Sequence, residues 1–162
     1  MGSITTKELL LARLPRTEGR RLKPYRDTVG KWTVGVGHNI TDNGLPQNMV
    51  VAIIEFGQLT DDMVNDLLGQ DVDRVLKDCA AIPVFRQLDI VRQSVLADMV
   101  FNMGLGSVLG FVNTLSFISQ GRYSEAAEQM LKSKWAEQVG NRAIELAGLM
   151  RSGQVNTVKR VV

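Results

Sequence analysis

Glu18-Gly19-Arg20-Arg21-Leu22-Lys23-Pro24-Tyr25-Arg26-Asp27-Thr28-Val29-Gly30-Lys31-Trp32-Thr33-Val34-Gly35-Val36-Gly37-His38 is the stretch whose reading decides this chain. Its middle has period two. Arg21 to Arg26 reads as a strand, and Pro24, which has no N–H for a ladder, confines it to a sheet edge. Asp27-Thr28-Val29-Gly30 reads as a turn, with Gly30 supplying unusual dihedrals. Lys31 to Val36 reads as the returning strand. Such a hairpin brings Asp27 and Thr33 into one neighbourhood, while Gly35 and Gly37 let a backbone or ligand approach closely. Eight residues separate Glu18 from Asp27, and five separate Asp27 from Thr33. Two carboxyl groups and a hydroxyl around a hairpin can cleave a glycosidic bond. One carboxyl protonates the leaving oxygen, and the other helps water attack or offsets positive charge.

Upstream, Thr5 or Thr6 caps a helix from Lys7 to Arg13 that turns Leu9, Leu10 and Leu14 inward. Pro15 disfavours helical geometry at Leu14 and suits a new first turn. The expectation is therefore a break there, with Pro15-Arg16-Thr17-Glu18 as a short turn ended by Gly19. Downstream, Asn39 to Asn48 reads as loop, with Asp42-Asn43-Gly44 a turn and Pro46 opening a helix through Ile54. Thr60 caps a long helix to about Asp78, with Asp61 and Asp62 suiting its positive end. Met63, Leu67, Leu68, Val72, Val75 and Leu76 recur on it at helical spacing. Pro83 opens an all-helical region. Asp89 caps an apolar helix, Ile90 to Met103, ended by Gly104. Helices at 107–111, 113–119, 124–132 and 141–151 follow, separated by glycines. Met99, Met103, Met130 and Met150 read as core. The fold class is α+β, a single domain with a β-containing lobe (14–59), a linking helix (60–80) and a helical lobe (81–162 with 1–13).

At 162 residues the chain can bury a core without disulfides or metal. Cys79 is the single cysteine, so no internal disulfide forms, and it reads as a small core residue. Net charge is only +2, yet eight basic against three acidic residues give +5 before Trp32. That field favours an anionic polymer, with a solvated surface as the plainer alternative. Leu9-Leu10-Leu11-Ala12 is too short for a secretory signal, and no stretch suits a membrane span. No metal or cofactor is expected.

The string from Glu18 to His38 resembles the active-site segment of phage-type lysozymes, where Glu, eight residues, Asp, five residues and Thr precede Gly-x-Gly-His. Further fragments extend the resemblance, in order, over nearly the whole chain: Gln70-Asp71-Val72-Asp73, Met99 to Gly104, Gly110 to Leu115, Lys132 to Trp135 and Asn141-Arg142-Ala143. It implies a two-lobed lysozyme-like fold and hydrolysis of the β-1,4 bond between N-acetylmuramic acid and N-acetylglucosamine in peptidoglycan. It implies Glu18 as general acid, Asp27 and Thr33 as the groups that position water, and inversion at the anomeric carbon. His38, the only histidine, is implied to be structural and paired with Asp71, and Arg142 to support Glu18. Asn39, Phe101, Thr114 and Gln129 stand where the family contacts glycan; Asn39, Thr114 and Gln129 depart there from the side chains of the T-even phages. Trp32 and Trp135 read as core or hairpin support, with sugar stacking the alternative.

Three other readings stay open: a lytic transglycosylase, a non-catalytic wall-binding module and a helical nucleic-acid binder. Asp27 and Thr33 disfavour the first, because that chemistry needs no activated water. The expected partner is bacterial peptidoglycan, with no nucleic acid, no membrane insertion and a monomeric state. The expected setting is the host cytoplasm, with another protein granting access to the periplasmic wall for lysis by a phage.

Overall fold

The computed structural model describes residues 3–155. They divide into two compact units, Leu10–Arg74 and the remainder. The division runs through α1 (Thr6–Glu18) and α4 (Asp61–Cys79), not at their ends.

In the unit Leu10–Arg74, α1 leads into an antiparallel sheet of β1 (Arg21–Arg26), β2 (Trp32–Gly35) and β3 (His38–Asn39), in that order. The hairpin is as expected from its alternation. The third strand is not: two residues are too short to show a period, and β3 exists only through its pairing with β2. The turn read at Asp42 also belongs to a helix, α2 (Ile40–Asn43), capped by the Asn39 side chain. Next comes α3 (Gln47–Phe56), with Met49 and Ala52 buried. Gly35 faces α4, and it is the backbone conformation more than the space that calls for glycine there. A Cβ there would meet a Val64 methyl at 3.4 Å, and the backbone sits at φ +66°. The Thr60 hydroxyl accepts from Met63 N–H at 3.1 Å, the expected cap of α4.

The other described unit is helical. After a 3₁₀ turn (Phe85–Gln87) come α5 (Ile90–Met103), α6 (Leu105–Leu109), α7 (Val112–Ser119), α8 (Tyr123–Lys132), α9 (Lys134–Val139) and α10 (Asn141–Ser152). Every residue from Ser94 to Val100 is buried, so α5 is the central helix, apolar nearly all round. α10 packs on α5 and α8, and α7 packs on α8. Asp89 caps α5 as expected, its Oδ1 accepting from Arg92 N–H at 2.9 Å. Arg92 then donates to the carbonyls of Met150 and Arg151 at 2.6 and 2.9 Å, pinning the end of α10 to the start of α5. α6 begins two residues earlier than expected, directly after Gly104. The 3₁₀ turn and α9 were not legible as periodic segments because each is under two turns long. Met99, Met130 and Met150 are fully buried, whereas Met103 is only half-buried.

One expectation fails in a way that matters for the site. α1 does not break at Pro15 but runs through it to Glu18. Pro15 lacks the N–H that would bond the Leu11 carbonyl, and the helix runs on with that one bond missing. The helix needs just one more turn. Gly19, at φ +81°, closes it with an N–H bond to the Pro15 carbonyl at 3.1 Å.

Candidate active site

Glu18 is the last residue of α1 and is half-buried. Its carboxyl lies against Gly37: a Cβ on that glycine would stand 3.0 Å from Glu18 Oε1. Gly37 also sits at φ +63°, so the backbone calls for glycine and the space for a Cβ is tight. The Gly-x-Gly pattern therefore has separate tasks. Gly35 supplies a left-handed backbone at the end of β2, and Gly37 leaves room for the Glu18 carboxyl.

Asp27 opens the hairpin turn. Its Oδ1 accepts from the N–H groups of Val29 at 3.0 Å and Lys31 at 2.8 Å. Its main chain exchanges bonds with the same turn: Asp27 N–H donates to the Lys31 carbonyl, and Gly30 N–H to the Asp27 carbonyl. The carboxylate is thus held on one oxygen, and Oδ2 makes no hydrogen bond among the described residues. Thr33 is buried, and its hydroxyl donates to the Lys31 carbonyl at 3.1 Å. Lys31 backbone therefore ties the Asp27 carboxylate and the Thr33 hydroxyl into one rigid turn. With its proton given to Lys31, the Thr33 oxygen keeps lone pairs to accept from another donor.

Strand register adds neighbours. Tyr25 lies opposite Thr33 on β1, and Asn39 lies opposite Thr33 on β3. Directly opposite residues project to the same face, so Tyr25, Thr33 and Asn39 form a row across the sheet. The Asn39 side chain also has a structural task. Oδ1 accepts from Asp42 N–H and Nδ2 donates to Asp42 Oδ2, both at 2.9 Å. On the adjacent pair, Arg26 lies over the half-exposed Trp32 ring at 4.8 Å, so Trp32 supports the hairpin from outside the core.

His38 is buried and paired with Asp71, Nδ1 to Oδ2 at 2.7 Å. Nε2 lies 2.7 Å from the Gly44 carbonyl. The second Asp71 oxygen is buried; Arg74 approaches it to 3.0 Å as an ion pair without hydrogen-bond alignment. Burial, the strongest influence, disfavours a charged ring, yet the bonds to Asp71 and Gly44 and the Asp71 charge outweigh it. The His38 pKa is raised above its ordinary 6.5. A cationic ring explains the contacts, since both nitrogens then donate to oxygens. With both nitrogens engaged, His38 is built as a tie from β3 to α4 and to the loop after α2.

The remaining candidates lie in the helical unit. Thr114 and Gln129 meet in one depression of about 280 Å³, which Asn113, Lys132 and Ser133 also line. Phe101 is half-buried on α5, outside that depression. Trp135 is buried, and its indole N–H donates to Asn102 at 2.7 Å, while Phe111 meets it edge-on at 6.2 Å. Its reading as core is correct. Arg142 donates twice to Oδ1 of the fully buried Asp98, at 3.0 and 2.7 Å. Asp98 carried no sequence signal, since it sits alone in an apolar helix. Cys79 is buried, which pushes its thiol up to about 12, with Asp78 adding to the effect; it is no nucleophile. Among the described residues there is no group of three or more His, Cys, Asp or Glu fit to hold a metal, and no helix is long and apolar enough to cross a membrane.

The sequence profile described as phage lysozyme matches residues 15–154. The chain belongs to the phage lysozyme family. It is 28% identical over 158 residues to "Probable T4-type lysozyme 1" of Dictyostelium discoideum, an alignment covering 88% of this chain and 93% of that protein. It is 30% identical over 128 residues to the endolysin of Salmonella phage P22, covering 78% and 81% respectively. It also matches the pre-baseplate central spike protein of Enterobacteria phage T4, 26% identical over 159 residues, which cover 89% of this chain and 28% of that longer protein. Membership of the phage lysozyme family makes the protein a glycosidase, a lysozyme with peptidoglycan as its substrate. In this phage lysozyme, Glu18, Asp27 and Thr33 all fall within one compact unit, Leu10–Arg74.

Proposed function

We propose that the protein cleaves the β-1,4 bond between N-acetylmuramic acid and N-acetylglucosamine by a single displacement. Glu18 donates its proton to the leaving oxygen. Asp27 and Thr33 hold the attacking water, Asp27 through Oδ2 and Thr33 through its lone pairs. Asp27 takes up the water's proton as the oxygen attacks, the bond to the leaving oxygen breaks, and the anomeric carbon inverts. The observation that supports this reading is the shared tether at Lys31, which orients the carboxylate and the hydroxyl together. A preoriented pair spares the reaction the cost of assembling a water site in each cycle. Asn39, Phe101, Thr114 and Gln129 contact the glycan in this reading. His38 and Asp71 hold the scaffold, and Arg142 supports it. The chain works as one domain in which 60–80 joins 14–59 to the helical remainder, as a monomer without nucleic acid. Its role is bacterial lysis by a phage: it is made in the host cytoplasm and reaches the wall through another protein.

NMR of freshly released product tests the mechanism. The α-anomer should appear first from a β-linked glycan. The β-anomer first would make Asp27 a nucleophile, and a 1,6-anhydro product would make the enzyme a transglycosylase. Glu18→Gln should lower lysis by about 10²–10⁴-fold, the usual worth of a general acid, with circular dichroism unchanged. Full lysis by the folded variant removes Glu18 from this role.

A further inference from the structure

Across the sheet, the row Tyr25–Thr33–Asn39 holds two residues that sequence already singled out and one that it did not. Tyr25 shares a face with Thr33 because the two are directly opposed on β1 and β2. Its ring is held from one side by the Arg21 guanidinium, 4.2 Å from the centroid. The side chain is half-buried, yet its hydroxyl makes no hydrogen bond among the described residues. The hydroxyl is not among the buried polar atoms left without a partner, so it stands open to solvent or to a ligand while the ring is held in place.

We propose that Tyr25 is a substrate-contacting residue of this site, its hydroxyl donating to a hydroxyl or N-acetyl oxygen of a sugar next to the cleaved bond. The proposal rests on the glycosidase reading above and adds to it a binding contact. Two further facts suit the role. Burial raises the phenol's pKa, Arg21 lowers it, and the charges of Glu18 and Asp27 raise it again; the net rise keeps the proton on oxygen and the group a donor. The same influences show that Tyr25 lies within electrostatic reach of both carboxylates. Arg21 acts on the contact indirectly, as the positioning residue that fixes the ring.

Tyr25→Phe tests this, because it removes one oxygen and keeps the ring and its stack. On soluble peptidoglycan strands, kcat/KM should fall about 3- to 10-fold, the range for one neutral hydrogen bond, with the melting temperature and the pH–rate profile unmoved. In a Glu18→Gln background, calorimetric binding of the same strands should weaken by a similar factor. Arg21→Gln should give a smaller loss in the same direction, which Arg21→Lys restores. Unchanged kcat/KM and binding in Tyr25→Phe would overturn the proposal. So would a shifted pH–rate limb with unchanged binding, which would make the phenol a partner of the carboxylates instead. If the unaltered protein released no reducing ends, the glycosidase reading would fail, whereas the binding comparison would still decide on Tyr25.

Discussion

At the scale of single residues, the site depends on what Gly37 lacks. A methyl there would press on Glu18 Oε1 from 3.0 Å and would also occupy a left-handed backbone. Gly37→Ala should therefore cost about 1 kcal/mol or more in stability, from backbone strain alone. It should also lower kcat beyond that, because the displaced carboxyl misses the leaving oxygen. Urea melts beside turnover measurements separate the two effects. Loss of stability with normal kcat would show that the Glu18 carboxyl accommodates the methyl without cost. By contrast, Gly30, also at positive φ, has nothing within 4 Å of a Cβ position, so alanine there should carry only the backbone penalty.

At the scale of elements, α1 carries an unusual internal proline one turn before the proposed acid. An interior proline costs a helix about 3 kcal/mol relative to alanine, through the missing donor and the ring's clash with the preceding turn. Pro15→Ala should raise stability by about 1–3 kcal/mol, read as a higher melting temperature. An unchanged or lower melting temperature would mean that the helix gains more from the proline's fixed φ than it loses in the bond. The break expected at Pro15 was a local inference. It failed because Gly19 closes the helix one turn later, and a single donor was not enough to end it sooner. β3 illustrates the opposite case. Nothing in His38-Asn39 alone specifies a strand, and pairing to β2 makes it one.

At the scale of the whole molecule, the His38–Asp71 tie makes stability depend on pH. The folded pKa of His38 lies above the unfolded value of about 6.5. The contribution is therefore fully present below about 6.5 and fades as pH rises through the folded value. Urea melts from pH 5 to 9 should show this loss, and Asp71→Asn should flatten it. Removing one partner of a buried pair should itself cost about 3–5 kcal/mol. An Asp71→Asn protein with the same pH profile as the parent would show that the tie contributes nothing to it. Activity of a stable His38→Gln variant should persist, as the ring's two nitrogens are both committed to protein oxygens.

The candidate site was legible because Glu18, Asp27, Thr33 and the glycines near them lie within one run of 21 residues. Turn and strand preferences act over such distances, so local pattern carried the hairpin, while the roles expected of its acids came from the resemblance to phage-type lysozymes. The caps at Thr60 and Asp89 were legible for the same reason: a side chain meets an N–H three residues away. Tertiary structure decided the rest. It paired His38 with a carboxylate 33 residues on, set Arg142 against Asp98 across 44 residues, and aligned Tyr25 and Asn39 on either side of Thr33. Such partners meet only when whole elements pack. A buried charge or hydroxyl then takes whichever group the packing brings within about 3 Å, a choice that no local period in the chain encodes.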